Sequence, residues 1–180
     1  MVEEELVVLV DEADREIGTM PKALVHQKET PLHRAFSFFL LNPRGELLLQ
    51  QRSSRKKTWP LVWSNSCCGH PRPGEQTEDA IRRRLKAELG MADAEIKMSL
   101  PYRYSFSKDG VTENEICPVF AGLSSEEPKP DPEEVEAVRW VKWEDFLREI
   151  ADDVAEKFSP WCKEEARLLA ESPEFRRLVG

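Results

Sequence analysis

No apolar run in this chain approaches the ~20 residues that span a membrane. The opening MVEEELVVLV places acid, not base, before a short apolar stretch, so it lacks the layout of a secretory signal. Positive charge is in deficit too: 26 Lys and Arg stand against 34 Asp and Glu, for a formal net charge of -8. That balance argues against a nucleic-acid surface but leaves room for a local basic pocket that takes a small anion. The four cysteines, Cys67, Cys68, Cys117 and Cys162, form no CxxC pair, and a disulfide framework is not expected in a chain this long. There is no internal repeat and no low-complexity tract. The expectation is a reduced, cytoplasmic monomer without membrane or nucleic-acid partners.

What is present suits one globular domain. The chain has 180 residues, 40% hydrophobic and 33% charged, enough to bury a substantial core. We take 1–180 as a single domain with 161–180 as a helical tail. Leu6 to Val10 reads as a strand and Asp11 to Gly18 as turn-like. Pro21 to Arg34 reads as loop with a helical turn. Ala35 to Leu41 and Glu46 to Gln51 flank the turn Asn42-Pro43-Arg44-Gly45 and predict a hairpin. Ile81, Leu85 and Leu89 recur at a spacing of four and predict a helix from Thr77 to Leu89, with Gly90 just past its end. Tyr102 to Ser107 and Glu113 to Gly122 flank Lys108-Asp109-Gly110 and predict a second hairpin. Glu126 to Glu134 reads as a solvated loop and Val135 to Val141 as a strand. Glu144 to Ile150 and Trp161 to Ala170 read as amphipathic helices, and Ser172-Pro173 opens a last short one. Strands in hairpins mixed with helices give an α/β (α+β) fold around a mixed sheet.

The chemistry concentrates in few residues. Histidine is scarce: His26, His33 and His70, all before residue 71. One histidine alone is more often structural than functional. Glu113 and Glu115 change the weighing, because residues i and i+2 of a strand share a face, and two carboxylates on one apolar face repel unless a cation lies between them. Three imidazoles with two carboxylates suit a borderline divalent ion such as zinc, manganese or iron. The bland alternative is a solvent-facing strand edge. Adjacent Cys67 and Cys68 face opposite ways on an extended backbone, and Cys68, two residues before His70, is the one within reach of such a site. Lys22, Arg52, Lys56 and Arg84 read singly as solvated surface. Next to the tryptophans Trp59 and Trp63, the basic RSSRKK loop also fits a diphosphate grip.

Spacing adds a constraint. Gly69, Glu75, Arg83, Leu85, Glu88, Gly90 and Met91 follow the pattern G-x5-E-x7-R-E-U-x-E-E-x-G-U, with U apolar. This resembles the Nudix box, with Arg84 and Ala87 where the core REUxEE has glutamates. A box that keeps only Glu88 of that core is a poor hydrolase but can still bind a metal-bridged diphosphate. A Nudix hydrolase of a nucleoside diphosphate derivative is the rival reading. The runs WSNSCCGHP, YRYSF, ENEICPVF and FSPW make the chain resemble type I isopentenyl diphosphate isomerases, a branch of the Nudix superfamily, from about Val8 to Trp161.

The resemblance implies a Nudix-like mixed β-sheet sandwiched between helices, and a reversible 1,3-proton shift between isopentenyl and dimethylallyl diphosphate. It implies one divalent metal (manganese, zinc or magnesium) on His26, His33, His70, Glu113 and Glu115, and a magnesium ion on Glu88 bridging the diphosphate. It implies diphosphate contacts from Lys22, Arg52, Lys56 and Arg84. It makes Cys68 and Glu115 the two proton-handling groups, with Tyr104 beside Glu115 and Trp161 over the hydrocarbon.

Overall fold

The run FSFFLL is apolar at five of its six positions, which suits a strand buried on both faces. In the computed structural model, which describes residues 5–180, that strand lies at the centre of one of two sheets. The first elements are β1 (Leu6–Val10), β2 (Glu16–Pro21), α1 (Lys22–Val25), β3 (His33–Arg34), β4 (Phe36–Leu41) and β5 (Glu46–Arg52). Next come β6 (Trp63–Ser64), β7 (Cys67–Gly69), α2 (Thr77–Leu89), β8 (Glu95–Leu100), β9 (Arg103–Lys108) and β10 (Val111–Ile116). The chain ends with β11 (Val119–Leu123), β12 (Val135–Lys142), α3 (Trp143–Ala151), α4 (Pro160–Glu171) and α5 (Pro173–Val179). One sheet has the order β2-β1-β3-β10-β9, and the other β12-β5-β4-β11-β8, with β6 on β5 and β7 on β4.

Two apolar layers cover the faces of the second sheet. Phe36, Phe38 and Leu40 pack with Ile81, Leu85 and Leu89 of α2. Phe39 and Leu41 pack with Phe146 of α3, Trp161 and Leu169 of α4, and Phe175 of α5. The expected sheet between helices is therefore present, accompanied by a second, smaller sheet. Helix α2 has the predicted bounds and ends where Gly90 turns left-handed, at φ 65°, a conformation glycine adopts without a Cβ penalty. Ser172 caps α5 by accepting from the Phe175 N–H.

Three expectations need correction. The strands β4 and β5 meet only at Leu41 and Leu47. Beyond that point β6 and β7 wedge between them, and Ser66 Oγ bridges the gap by donating to Leu48 O at 2.6 Å and accepting from Leu40 N at 2.7 Å. The single strand expected from Glu113 to Gly122 is two strands in different sheets, broken at Cys117-Pro118, where proline has no N–H for a ladder. The turn-like segment Asp11 to Gly18 runs into β2, an edge strand with little burial and hence little apolar signal. Strand β8 was not anticipated, although Ile96, Met98 and Leu100 alternate with Glu95, Lys97 and Ser99.

The break at Pro118 is what assembles the site. Two segments cross from one sheet to the other side by side: β3 into β4 through Ala35, and β10 into β11 through Cys117 and Pro118. Below the crossing β3 pairs parallel to β10, with His33 opposite Glu115. Above it β4 pairs parallel to β11, with Ser37 opposite Val119. Strand β7 ends on the same level, with Gly69 opposite Phe36, so His70 emerges beside the crossing.

Candidate active site

His26, His33, His70 and Glu115 converge, with their ligand atoms all within 4.8 Å of one another. Oε1 of Glu115 lies 3.1 Å from His70 Nε2, 3.2 Å from His33 Nε2 and 3.6 Å from His26 Nε2. All four side chains are buried. The ring of His33 is oriented from behind, its Nδ1 lying 2.9 Å from Pro31 O. A proton donated there leaves a lone pair on Nε2, aimed at the cluster. His26 Nε2 and His33 Nε2 are buried without a hydrogen-bond partner. Orphaned imidazole nitrogens packed around a carboxylate oxygen are an unfavourable arrangement by themselves and a good one around a divalent cation. The residues thus fit a metal ion.

Glu113 stands one hydrogen bond away from this group. The Tyr104 phenol oxygen lies 2.7 Å from Glu115 Oε2 and 3.0 Å from Glu113 Oε2, and its one proton serves both carboxyls. Burial and the neighbouring Glu115 push the Glu113 carboxyl up. Burial would raise Glu115 as well, but the three imidazoles override it and hold that carboxyl well below the usual range. The paired carboxylates therefore occupy different protonation environments.

One cavity of about 390 Å³ connects this cluster with the rest of the expected residues, within the ~300–1,000 Å³ of small-ligand sites. It is lined by Lys22, His26, Arg52, Lys56, Cys68, His70, Arg84, Tyr104, Glu113, Glu115 and Trp161. The expected residues His33 and Glu88 lie behind that wall, both fully or nearly fully buried.

The cations gather at one end. Lys22 pairs with Glu5 at 3.0 Å, and Lys56 pairs with Glu134. Arg84 pairs with Glu88 four residues on and lies 3.4 Å from Glu134. Burial would ease the proton off Arg84, but Glu88 outweighs it and keeps the guanidinium charged. Gly69 permits this approach, since a Cβ there would come 3.0 Å from Arg84 Cγ and 3.1 Å from the Phe36 ring. Arg52 differs from the other three: it donates to Thr58 O at 2.7 Å and stands over the Trp161 ring at 5.6 Å.

The cysteines face as the alternation predicts. Cys67 is fully buried in the layer with α2, whereas Cys68 lines the cavity. Burial, with Glu165 nearby, pushes the Cys68 thiol up to about 12, so it stays protonated. Trp161, in the first turn of α4, is 1% exposed. It stacks on Tyr104 at 5.8 Å and meets Trp59 edge-on at 5.1 Å.

Sequence reasoning missed several supporting groups. Glu75 does not reach the cavity: it clamps Arg83 through two 2.8 Å bonds, and Arg83 donates to His70 O at 3.1 Å. The box spacing of Glu75 and Arg83 was a usable signal for that clamp. Asn65 lies in the WSNSCCGHP run, which was a usable signal for it, whereas Ser37, Glu134 and Glu165 carry no motif that would have singled them out.

Known proteins resemble this chain at two levels. The NUDIX domain matches residues 31–162. A Saccharopolyspora erythraea protein named isopentenyl-diphosphate Delta-isomerase is 46% identical over 93% of this chain and 87% of its own length. One of the same name from Mycolicibacterium vanbaalenii is 45% identical over 92% of this chain and 91% of its own. Among solved structures, a Deinococcus radiodurans protein superimposes with a TM-score of 0.69 at 26% identity, covering 91% of this chain and 98% of that one. A MutT protein of Methanosarcina mazei shares the fold, with a TM-score of 0.58 at 21% identity over 83% of this chain and 94% of that one. With a Nudix fold, a box short of two glutamates and relatives that match nearly end to end, the chain belongs to the isopentenyl-diphosphate Delta-isomerase family of NUDIX-domain proteins.

Proposed function

We infer that the protein is an enzyme that interconverts isopentenyl diphosphate and dimethylallyl diphosphate by a 1,3-allylic proton shift, as part of isoprenoid biosynthesis. The observation that carries this reading is a single cavity with a cationic end and an aromatic, proton-handling end. Lys22, Lys56 and Arg84 are arranged to neutralise a diphosphate, which would take the places Glu5 and Glu134 now hold. Arg52, anchored on Thr58 O and lining the same cavity, would add a further donor to the diphosphate.

At the other end, an unactivated double bond gains a proton on its terminal carbon. The π pair forms the new C–H bond, and a tertiary carbocation results. Loss of a proton from the carbon on the far side of the cationic centre then forms the shifted double bond. Cys68 and Glu115 are the groups that give and take these protons, with Tyr104 holding Glu115 in place. Burial holds Cys68 as a neutral thiol at rest, so it has a proton to give. The Trp161 indole presents a π face to positive charge, a contribution of roughly 0.5–2 kcal/mol.

His26, His33, His70 and Glu115 would hold one divalent cation, with Glu113 alongside; the nitrogen-rich set favours manganese or zinc over magnesium. Such an ion supplies fixed positive charge that orients Glu115 and sets its acidity. Glu88, now paired with Arg84 beside Lys56, would be the carboxylate to hold a magnesium ion near a bound diphosphate once Arg84 turns to the phosphates. We take the monomer as the working unit, and four free cysteines fit a reducing cytoplasm. Among the described residues no helix is long and apolar enough to cross a membrane.

The test is to incubate the purified protein with isopentenyl diphosphate and a divalent metal. The acid-labile allylic product should accumulate to equilibrium, and a chelator should abolish its formation. Unchanged substrate under every metal condition would refute the reading.

A further inference from the structure

Helix α4 carries a second group toward the site besides Trp161. Glu165, one turn further on, is 0% exposed, and neither of its carboxyl oxygens has a hydrogen-bond partner. An ionised carboxylate there has lost its water and gained no donor in return, which is costly. Burial pushes its pKa up, the Ser37 hydroxyl pulls it partway back, and Glu115 adds to the rise, to about 8. At neutral pH Glu165 is therefore a carboxylic acid, a hydrogen-bond donor within an otherwise apolar layer.

What this donor faces is a relay to Cys68. The Ser37 hydroxyl faces the Glu165 carboxyl without completing an ordinary hydrogen bond. On its other side Ser37 Oγ lies 3.5 Å from Cys68 Sγ and 3.5 Å from Cys117 Sγ. The Cys68 thiol in turn donates to Asn65 Oδ1 at 3.2 Å. Asn65 is not free to turn, because its Nδ2 donates to Phe38 O at 3.2 Å and to Cys67 O at 3.0 Å. With its own hydrogen directed at Asn65, the Cys68 sulfur is left as an acceptor for Ser37. The polarity of the chain is thereby set from both ends: acid, hydroxyl, sulfur.

We propose that Glu165 is a positioning residue for Cys68, a neutral acid that donates toward Ser37 so that Ser37 donates to the Cys68 sulfur and holds it for proton transfer. This rests on the reading of Cys68 as one of the two proton-handling groups. When the Cys68 S–H bond breaks, the hydrogen joins the alkene carbon through the π pair and the S–H electron pair stays on sulfur. Both O–H dipoles then point toward the new negative charge, and neither proton has to leave its oxygen. In the reverse direction the sulfur pair takes up the proton and the same dipoles relax.

Three variants of the metal-loaded protein test this with isopentenyl diphosphate. Glu165→Leu removes the donor, Ser37→Ala cuts the relay, and Glu165→Gln keeps a neutral N–H donor of the same size. We expect Glu165→Leu and Ser37→Ala each to lose about tenfold or more in kcat with KM within about twofold, and Glu165→Gln to stay within about threefold of wild type. The double variant should be no slower than the slower single one. The thermal midpoint of Glu165→Leu should not fall, since an unpartnered buried polar group is replaced by an apolar one. Wild-type kcat in both Glu165→Leu and Ser37→Ala, or a loss that glutamine does not rescue, overturns the proposal. Should Glu165→Leu fold poorly, Ser37→Ala carries the same comparison. Alkylation by iodoacetamide reads Cys68 without turnover, because Cys68 alone among the four cysteines is not fully buried. Its rate should fall about fivefold or more in Glu165→Leu, as a thiolate loses a donor, and an unchanged rate counts against the proposal. If wild type turns over no isopentenyl diphosphate while alkylation slows as expected, the functional reading has failed and the positioning of Cys68 stands.

Discussion

Replacing Trp161 separates cation stabilisation from plain packing. Its indole is 1% exposed and touches three groups: Tyr104 stacked at 5.8 Å, Trp59 edge-on at 5.1 Å, and Arg52 over the ring at 5.6 Å. Nε1 has no hydrogen-bond partner, so phenylalanine removes no hydrogen bond and changes mainly ring size and π density. Leucine fills much of the space but loses both aromatic pairs, at roughly 0.5–1.5 kcal/mol each. It also loses the Arg52 contact, at about 0.5–1 kcal/mol. The folded protein should therefore lose about 1.5–4 kcal/mol with leucine, a drop in Tm of roughly 3–16 °C for a chain of this size. Turnover carries a separate term. A carbocation facing a desolvated indole gains about 2 kcal/mol, so Trp161→Leu should lower kcat/KM roughly 30-fold beyond any unfolded fraction. Trp161→Phe, a weaker π partner, should lose only about fivefold. Steady-state kinetics well below the lowered Tm, with the folded fraction checked by circular dichroism, gives both numbers. Equal losses for phenylalanine and leucine would refute cation stabilisation and leave water exclusion as the role of the ring.

Three further outcomes are expected. Cys68→Ala should reduce kcat by about a thousandfold or more with Tm and metal content unchanged, whereas Cys67→Ala should cost about 1 kcal/mol of stability and little activity; kinetics and thermal melts on both variants decide it. Glu75→Gln weakens the two 2.8 Å bonds to Arg83 that steady the His70 carbonyl, so metal affinity should fall about 10-fold or more, as measured by competition with a chromogenic chelator. Nucleoside triphosphates and dinucleotides should release no phosphate at enzymatic rates, because Arg84 and Ala87 stand where the box has carboxylates, and a phosphate-release panel checks this.

The parts of the fold that could be read in the sequence are those with a local cause. Helix α2 announced itself through Ile81, Leu85, Leu89 and Gly90, because one turn of helix fixes which residues share a face. The strand β4 was legible because five apolar residues among six need cover on both sides. The hairpin expected between β4 and β5 closes at Leu41 and Leu47 but splays beyond them for a non-local reason: Ser66 and its flanking strands β6 and β7 wedge between the two, and nothing near Asn42 signals that. The strand expected through Cys117 failed more instructively. Pro118 was visible, but its consequence depends on Ala35 crossing beside it, more than eighty positions away in the chain. That paired crossing sets His33 opposite Glu115, so the metal-ligand types were legible while their meeting point was not. Glu165 was illegible altogether, since on a helix it reads as one more exposed acid, and only the packing of α4 against the sheet buries it.

The central claim, two separate groups passing protons at opposite ends of an allylic unit, is tested most directly by turnover in D2O with the product followed by NMR. The account predicts dimethylallyl diphosphate carrying solvent deuterium in a methyl group, with the diphosphate intact. Product formed without any deuterium would show that one hydrogen migrates within the substrate, and the assignment of paired proton-handling groups to Cys68 and Glu115 would be contradicted.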